Sequence, residues 1–208
     1  MTLPNKLTLI RICLVPAFVA FMFFNDVYTR IIALLIFVIA SLTDLYDGIL
    51  ARRYQCVTDF GRFMDPLADK LLICSAFISF ISLKELNIFT AAPMVTIIIS
   101  REFIITGLRG VAARKGQVIA ADKTGKFKTT SQIVVIIVTM LILITNAWLK
   151  KNYGLVHSDL LLREGWQYYM GLFLQEMPFY LLFLATVMTV ISGLNFIFKN
   201  KRILIEGI

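Results

Sequence analysis

Long apolar blocks separated by short polar connections dominate the chain. Six blocks lie at residues 7–25, 29–52, 60–83, 88–110, 127–149 and 176–198. Each is close to the roughly 20 residues that a helix needs to cross the hydrocarbon core of a bilayer. Because lipid offers no hydrogen bonds to the backbone, a spanning segment of this kind is a helix. The pattern predicts an all-α integral membrane protein with six transmembrane helices, in a single domain covering residues 1–208.

One connection is longer than the others. Residues 150–175 mix Trp166, Tyr168 and Tyr169 with polar side chains. Tryptophan and tyrosine concentrate at membrane–water interfaces, where one end of the ring is apolar and the other is wet. We expect an interfacial loop here, on the outer side of the membrane.

Composition agrees with the pattern. Hydrophobic residues make up 59% of the chain and charged residues 16%, whereas soluble domains have about half and a quarter. The net charge of +8 raises the question of nucleic acid. The basic residues, however, lie in short connections between apolar blocks and are not interleaved with aromatic residues. We therefore predict lipid and anionic substrates as partners, and no nucleic acid.

The positions of the basic residues predict an orientation. Most of the 21 lysines and arginines fall near the N-terminus (Lys6 and Arg11), around 52–62, around 109–128 and after 198. Fewer fall on the alternate segments, which hold Arg30, Lys84, Lys150, Lys151 and Arg163. Since cytoplasmic segments carry the excess of Lys and Arg, both termini are predicted to be cytoplasmic. We expect a bacterial cytoplasmic membrane.

Four aspartates lie at the cytoplasmic ends of the second and third blocks. Asp44 and Asp47 are three residues apart, and Asp65 and Asp69 are four apart. On a helix such pairs share one face. A short connection joins the two blocks, so they are expected to be antiparallel neighbours. The two pairs would then face each other across a cleft at the cytoplasmic side.

The cost of these carboxylates indicates a metal site. One aspartate at the centre of a spanning helix costs about 2.5–3.5 kcal/mol, so four cost on the order of 10 kcal/mol. Their mutual repulsion adds to this cost. A divalent cation removes both problems, and an all-oxygen ligand set favours Mg²⁺ or Mn²⁺. The alternative, simple pairing with neighbouring basic residues, explains one aspartate as well as a metal does but explains four poorly; those residues are Arg52, Arg53, Arg62 and Lys70.

Small residues accompany the acids. Gly48, Ala51 and Gly61 leave the backbone accessible, so a bulky group could approach closely. Small residues also let membrane helices pack tightly, and both interpretations stay open. Pro66 removes one helical hydrogen bond directly after Asp65 and predicts a local bend.

These positions together resemble a family signature. The stretch reads Asp-x2-Asp-Gly-x2-Ala-Arg-x8-Gly-x3-Asp-x3-Asp from Asp44 to Asp69. It is similar at every defined position to the signature of the CDP-alcohol phosphotransferases. That resemblance implies six transmembrane helices, a homodimer and two metal ions bound by the acidic residues.

The resemblance also implies a role for each position of the signature. Asp69 would be the general base. The metal ligands would be Asp44, Asp47, Asp65 and Asp69. The residues holding the CDP moiety would be Asp44, Asp47, Gly48, Ala51, Arg52, Gly61 and Asp65.

A basic cluster in the second half indicates the acceptor. Arg109 ends the fourth block, and Lys126, Lys128 and Thr129 begin the fifth. Cations beside a helix N-terminus favour phosphate, so we predict that these four residues bind an acceptor phosphate. Neighbouring Arg114, Lys115 and Lys123 are better explained as membrane anchors. Arg101 with Glu102 could equally be a buried structural pair.

The same segment, with Pro4 to Thr8, also resembles the phosphatidylglycerophosphate synthase branch of the family. That branch implies CDP-diacylglycerol and sn-glycerol 3-phosphate as substrates, with phosphatidylglycerophosphate and CMP as products.

Three alternatives stay open. A sibling enzyme could use another acceptor, either phosphatidylglycerol for cardiolipin or inositol phosphate. A membrane prenyltransferase also uses paired aspartates with magnesium, but does not need Ala51, Arg52 and Gly61 at these spacings. A cation pathway would spread ionisable groups across the bilayer, whereas the outer halves of these blocks hold few.

Overall fold

The computed structural model describes residues 3–54, 59–83, 86, 91–114 and 123–205. For residues 3–7, 44–54, 59–63, 65, 66, 69, 114, 123, 124, 126, 157 and 202–205 it describes the backbone alone. Within these ranges the regular structure is helical. The helices are α1 (Leu3–Phe23), α2 (Val27–Tyr54), α3 (Asp59–Ser82), α4 (Ala92–Arg114), α5 (Lys123–Tyr153), α6 (His157–Leu160) and α7 (Trp166–Ile205).

Each of the six apolar blocks falls on one of the long helices. The all-α prediction is therefore confirmed for the described residues. The segment 150–175 differs from its prediction, because most of it is helical. α5 continues to Tyr153, α6 follows, and α7 begins at Trp166. The reason is that Leu160 and Leu174 bury their side chains against α5. Trp166, Tyr168 and Tyr169 therefore lie on a packed helix and not in a loop.

A glycine ends α5. Gly154 adopts a φ of +64°, and its backbone N–H donates to the carbonyl of Lys150 over 3.1 Å. This left-handed position is strained for residues with a side chain, and glycine commonly fills it after a helix. The chain turns there towards α6.

Two helices are long and apolar enough to cross a membrane, judged by length and composition over the described residues. They are Phe127–Tyr153 within α5 and Trp166–Lys201 within α7. At 1.5 Å per residue, the 40 residues of α7 extend about 60 Å, well beyond the roughly 30 Å hydrocarbon core. The ends of α7 therefore reach past the apolar layer.

Exposed apolar side chains occur on every long helix. Ile39, Ile104, Phe173 and Phe198 are each about half exposed or more, and many others accompany them. Soluble monomers rarely expose apolar patches beyond a few hundred Å². A lipid environment removes this cost and explains why so many large apolar side chains are exposed.

The core holds the bundle together by packing between neighbouring helices. α1 contacts α2 and α3, α2 contacts α3 and α5, and α7 contacts α4 and α5. Phe37, Phe77, Ile98 and Met140 lie in one buried cluster that draws on α2, α3, α4 and α5. These contacts place α2 and α3 side by side, as the signature requires.

Arg30 was assigned to an outer connection, and the structure places it inside α2. Its side chain is buried and its Nη1 donates to the carbonyl of Leu143 on α5 over 2.7 Å. This hydrogen bond from a buried guanidinium links α2 to α5.

Candidate active site

The signature residues lie on two adjacent helices. Asp44 and Asp47 fall within α2, Asp65 and Asp69 fall within α3, and the two helices contact each other. Gly48, Ala51 and Arg52 share α2, and Gly61 shares α3. The side chains of these residues lie outside the described part of the structure. The metal ligands, the CDP contacts and the base therefore stay predictions.

A cavity opens beside this pair of helices. Its volume is about 570 Å³, and residues from α1, α2, α3, α4 and α5 line it. Ser41 lies three residues before Asp44, and Lys70 directly follows Asp69. One helical turn is 3.6 residues, so the cavity adjoins the acidic positions along both helices. The lining residues are Arg11, Ala40, Ser41, Lys70, Leu72, Ile73, Cys74, Arg101, Glu102, Ile105, Thr106, Arg109, Gly125, Lys128, Thr129, Thr130 and Ile133.

Glu102 forms the centre of an ionic network in this cavity. Its carboxylate accepts a hydrogen bond from Lys128 Nζ. Lys70 Nζ lies 3.8 Å from Oε2, and Arg101 Nη1 lies 3.7 Å from Oε1. Gln132 Nε2 adds a longer contact of 3.5 Å to Oε1. Three helices thus converge on one buried carboxylate: α3, α4 and α5.

Two arginines of the cavity, Arg101 and Arg109, contact α7. Arg101 Nη2 donates to Ser192 Oγ over 3.0 Å. The guanidinium of Arg109 lies over the ring of Phe196, 5.2 Å from its centroid, an attractive cation–π geometry. Among the described residues, neither Arg101 Nε nor Arg109 Nε has a hydrogen-bond partner. Each arginine therefore retains a buried donor.

The described lining of the cavity carries an excess of positive charge. Its described lining contains five cationic side chains and a single carboxylate, Glu102. The five are Arg11, Lys70, Arg101, Arg109 and Lys128. Buried charges of one sign are costly unless a counter-charge neutralises them. An anion such as a phosphate is the ligand that fits this lining.

Three of the four residues predicted to bind the acceptor phosphate line the cavity. Arg109, Lys128 and Thr129 come together there, and the side chain of Lys126 lies outside the described residues. Lys128 also pairs with Glu102, a contact that the sequence analysis did not predict. Arg101 and Glu102 are in contact, but they belong to a larger network and are not an isolated pair.

Sequence reasoning missed several lining residues. Arg11 was counted only for its effect on orientation, and Lys70 only as a possible partner of an aspartate. Both are ionisable groups within apolar blocks, and this signal alone makes an intramembrane residue a functional candidate. Ser192 and Phe196 contact two arginines of the cavity. Neither carried such a signal, because hydroxyls and phenylalanines are ordinary in membrane helices.

The chain is similar to other proteins over about two thirds to three quarters of its length. The family described as CDP-alcohol phosphatidyltransferase matches residues 1–158. A protein of Bacillus subtilis (strain 168), named CDP-diacylglycerol–glycerol-3-phosphate 3-phosphatidyltransferase, is 44% identical over 148 residues, which cover 64% of this chain and 74% of that protein. A protein of Rickettsia typhi with the same name is 34% identical over 76% of this chain and 83% of its own length.

A protein of Mycobacterium tuberculosis (strain CDC 1551 / Oshkosh) is also similar. It is named a probable phosphatidylglycerophosphate synthase and is 42% identical over 137 residues, which cover 64% of this chain and 63% of that protein. The family match ends at residue 158, so α7 lies beyond it.

Proposed function

The chain belongs to the CDP-alcohol phosphatidyltransferase family, and we propose that it makes phosphatidylglycerophosphate. The reaction transfers the phosphatidyl group of CDP-diacylglycerol to sn-glycerol 3-phosphate and releases CMP. Two relatives named CDP-diacylglycerol–glycerol-3-phosphate 3-phosphatidyltransferase, at 34% and 44% identity, support this proposal. So does a cation-lined cavity beside the signature helices. The observation that carries the choice of acceptor is the positive charge of that cavity, since this acceptor brings its own phosphate.

Membership of this membrane-bound family, together with two long apolar helices, makes the chain an integral membrane protein. Six membrane-spanning helices with both termini cytoplasmic is our proposal for its topology. The distribution of Lys and Arg supports it. This orientation gives the acidic positions and the cavity access to water-soluble glycerol 3-phosphate and CMP. A homodimer is the assembly that the family resemblance implies.

The acidic residues suit divalent metal ions. Asp44, Asp47, Asp65 and Asp69 are hard oxygen donors on two helices that contact each other, as Mg²⁺ and Mn²⁺ require. When bound, two such ions would neutralise the pyrophosphate and make CMP a better leaving group. The CDP moiety would lie beside Gly48, Ala51, Arg52 and Gly61.

The protein's own groups then complete the transfer. Asp69 takes the proton from a hydroxyl of the acceptor. The hydroxyl oxygen forms a bond to the phosphorus that carries diacylglycerol, and the bond from this phosphorus to CMP breaks. Because phosphoryl transfer depends mainly on positioning and charge stabilisation, no nucleophilic side chain is needed.

The acceptor phosphate would lie in the cation-lined cavity. Arg109 presents a buried N–H with no partner among the described residues. Lys128 donates one hydrogen bond to Glu102, which leaves two of its three N–H groups. Thr129 lines the same space. Binding there would place the acceptor hydroxyl towards α3, where Asp69 lies.

A substrate panel tests the proposal. Purified protein receives CDP-diacylglycerol and Mg²⁺ or Mn²⁺, and CMP release is followed with glycerol 3-phosphate, phosphatidylglycerol or inositol phosphate in turn. We expect release with glycerol 3-phosphate, its loss on chelation, and recovery when the metal returns. Release only with another acceptor would reassign the branch. Metal-dependent ion flux without CMP release would favour the cation pathway.

A further inference from the structure

We infer that α7 positions the cations of the acceptor cavity, through Ser192 and Thr189. The inference rests on the proposed function, because it concerns how that cavity binds its anion. The family match ends before α7, and no residue of α7 lines the cavity among those the structure describes. Any effect of α7 must therefore pass through residues on other helices.

Ser192 acts directly on Arg101. It is buried, and its Oγ accepts a hydrogen bond from Nη2. The other terminal nitrogen, Nη1, lies 3.7 Å from Glu102 Oε1. Two contacts at separate nitrogens fix the plane of the group, and Nε stays without a partner in the described structure. Ser192 thereby helps to hold the guanidinium of Arg101 beside Glu102.

The neighbouring glycine makes this approach possible. A Cβ added at Gly193 would lie 3.2 Å from Arg101 Cγ and 3.4 Å from its Nε. The contact to Cγ is tighter than most real Cβ contacts, so a residue with a side chain at this position would require Arg101 to shift by a few tenths of an ångström. The surface of α7 is thus shaped for this side chain.

Thr189 acts on the other side of the network through Gln132. Gln132 Nε2 donates to Thr189 Oγ1 over 3.2 Å, and Thr189 Oγ1 donates to the carbonyl of Ala185 over 2.7 Å. The same amide nitrogen faces Glu102 Oε1. Gln132 and Thr189 are fully buried. The relay holds Glu102 in place, and Glu102 in turn holds Lys128 and Lys70.

This arrangement matters for affinity because lysine and arginine lose side-chain entropy when an anion immobilises them. Cations held in place beforehand lose less on binding. Removing one contact of the relay should therefore weaken acceptor binding more than it slows the chemical step.

The test compares single substitutions on α7 by steady-state CMP release. For Ser192→Ala and Thr189→Val, the KM for glycerol 3-phosphate should rise about three- to tenfold, as expected for the loss of one hydrogen bond. kcat and the KM for CDP-diacylglycerol should stay within about twofold of wild type. Thr189→Ser keeps the hydroxyl and should restore the wild-type KM.

Thr186→Val is the matched control. Thr186 is a buried threonine on the same helix and also donates to a carbonyl four residues back, that of Leu182. It shares the local chemistry of Thr189 without the contact to Gln132 in the described network. Its substitution should leave both KM values unchanged.

A second measurement does not depend on turnover. Inorganic phosphate should raise the melting temperature of purified wild-type protein, and this rise should be smaller for Ser192→Ala and Thr189→Val. If the wild-type protein used a different acceptor, that result would overturn the proposed function but not the inference about α7. A wild-type enzyme that uses glycerol 3-phosphate, with unchanged KM in both variants or an equal change in Thr186→Val, would overturn the inference.

Discussion

Two clusters of charge lie towards opposite ends of α5 and differ in almost every respect. The inner cluster comprises Glu102, Lys70, Arg101 and Lys128, and the outer one comprises Asp26 and Lys151. Lys128 and Lys151 are separated along the helix by about 35 Å at 1.5 Å per residue. The inner carboxylate is buried, whereas both members of the outer pair are about half exposed.

The charge balance differs as well. Asp26 faces one lysine, whose Nζ lies 3.3 Å from its carboxylate and 4.2 Å from the ring centroid of Tyr28. Glu102 faces three cations. An exposed, balanced pair contributes little to stability, whereas a buried, unbalanced cluster is costly without an anion. Under the proposed function, the inner cluster contributes to anion binding, whereas the outer pair links the ends of two helices.

The largest expected effect concerns the aspartate at the inner end. Asp69→Asn removes the proposed base, and the loss of a general base typically costs at least about 100-fold in rate. CMP release should fall by this factor or more, while binding of the CDP-lipid largely survives. Asp159→Asn, which alters an acidic residue of α6 near the outer end, is the control and should turn over normally. Wild-type turnover by Asp69→Asn would show that another group takes the proton.

The next effect tests the inner cluster itself. Glu102→Gln leaves Lys70, Arg101 and Lys128 without their shared counter-charge. Breaking a buried ion pair costs on the order of 3 kcal/mol, which lowers the melting temperature by about 5–10 °C in a chain of this size. Inorganic phosphate should restore part of the loss by supplying an anion. A melting temperature equal to that of wild type would show that the cluster is already neutralised by another group.

Much of the fold could be predicted from the sequence, because long runs of apolar residues indicate membrane helices. The six apolar blocks each coincide with a long helix. The signature could also be recognised, since the stretch from Asp44 to Asp69 has four aspartates at fixed spacing, and aspartate is costly within a membrane helix. Both signals are local: they depend on residues close together along the chain.

The organisation of the cavity could not be predicted in this way. Arg101 meets Ser192 and Gln132 meets Thr189, partners separated by 91 and 57 residues. Neither serine nor threonine is unusual on a membrane helix, so nothing in the local sequence marks these two. The sequence did not predict α6 or the first turns of α7 for a similar reason. The burial of Leu160 and Leu174 against α5 depends on tertiary packing.

A smaller effect should follow from altering one cation of the cavity. Arg109→Gln removes a charged donor but keeps a polar side chain. Loss of a charge-assisted hydrogen bond should raise the KM for glycerol 3-phosphate about tenfold or more, with a smaller change in kcat. Arg163→Gln is the matched control, because Arg163 bonds to Gln167 at the outer end. A KM effect confined to CDP-diacylglycerol would assign Arg109 to the nucleotide and not to the acceptor.

The smallest effect is expected at the outer pair. The backbone N–H of Tyr28 donates to Asp26 over 3.0 Å, and this bond, together with Lys151, lowers the pKa of Asp26 below its ordinary value of 3.8. A lowered pKa means that the ionised carboxylate stabilises the fold above pH 3.8 and that this contribution fades as the pH falls through the folded-state pKa. At pH 7, Asp26→Asn should shift the melting temperature by no more than about 2 °C, as for other exposed ion pairs.

The shift caused by Asp26→Asn should disappear in strong acid, where the wild-type carboxyl is protonated as well. CMP release by the variant should equal that of wild type throughout, because the outer pair lies a helix length away from the cavity. Melting curves and turnover measured across the pH range check both statements. A loss of turnover in Asp26→Asn as large as that in Arg109→Gln would contradict the separation of binding and structural roles between the two clusters.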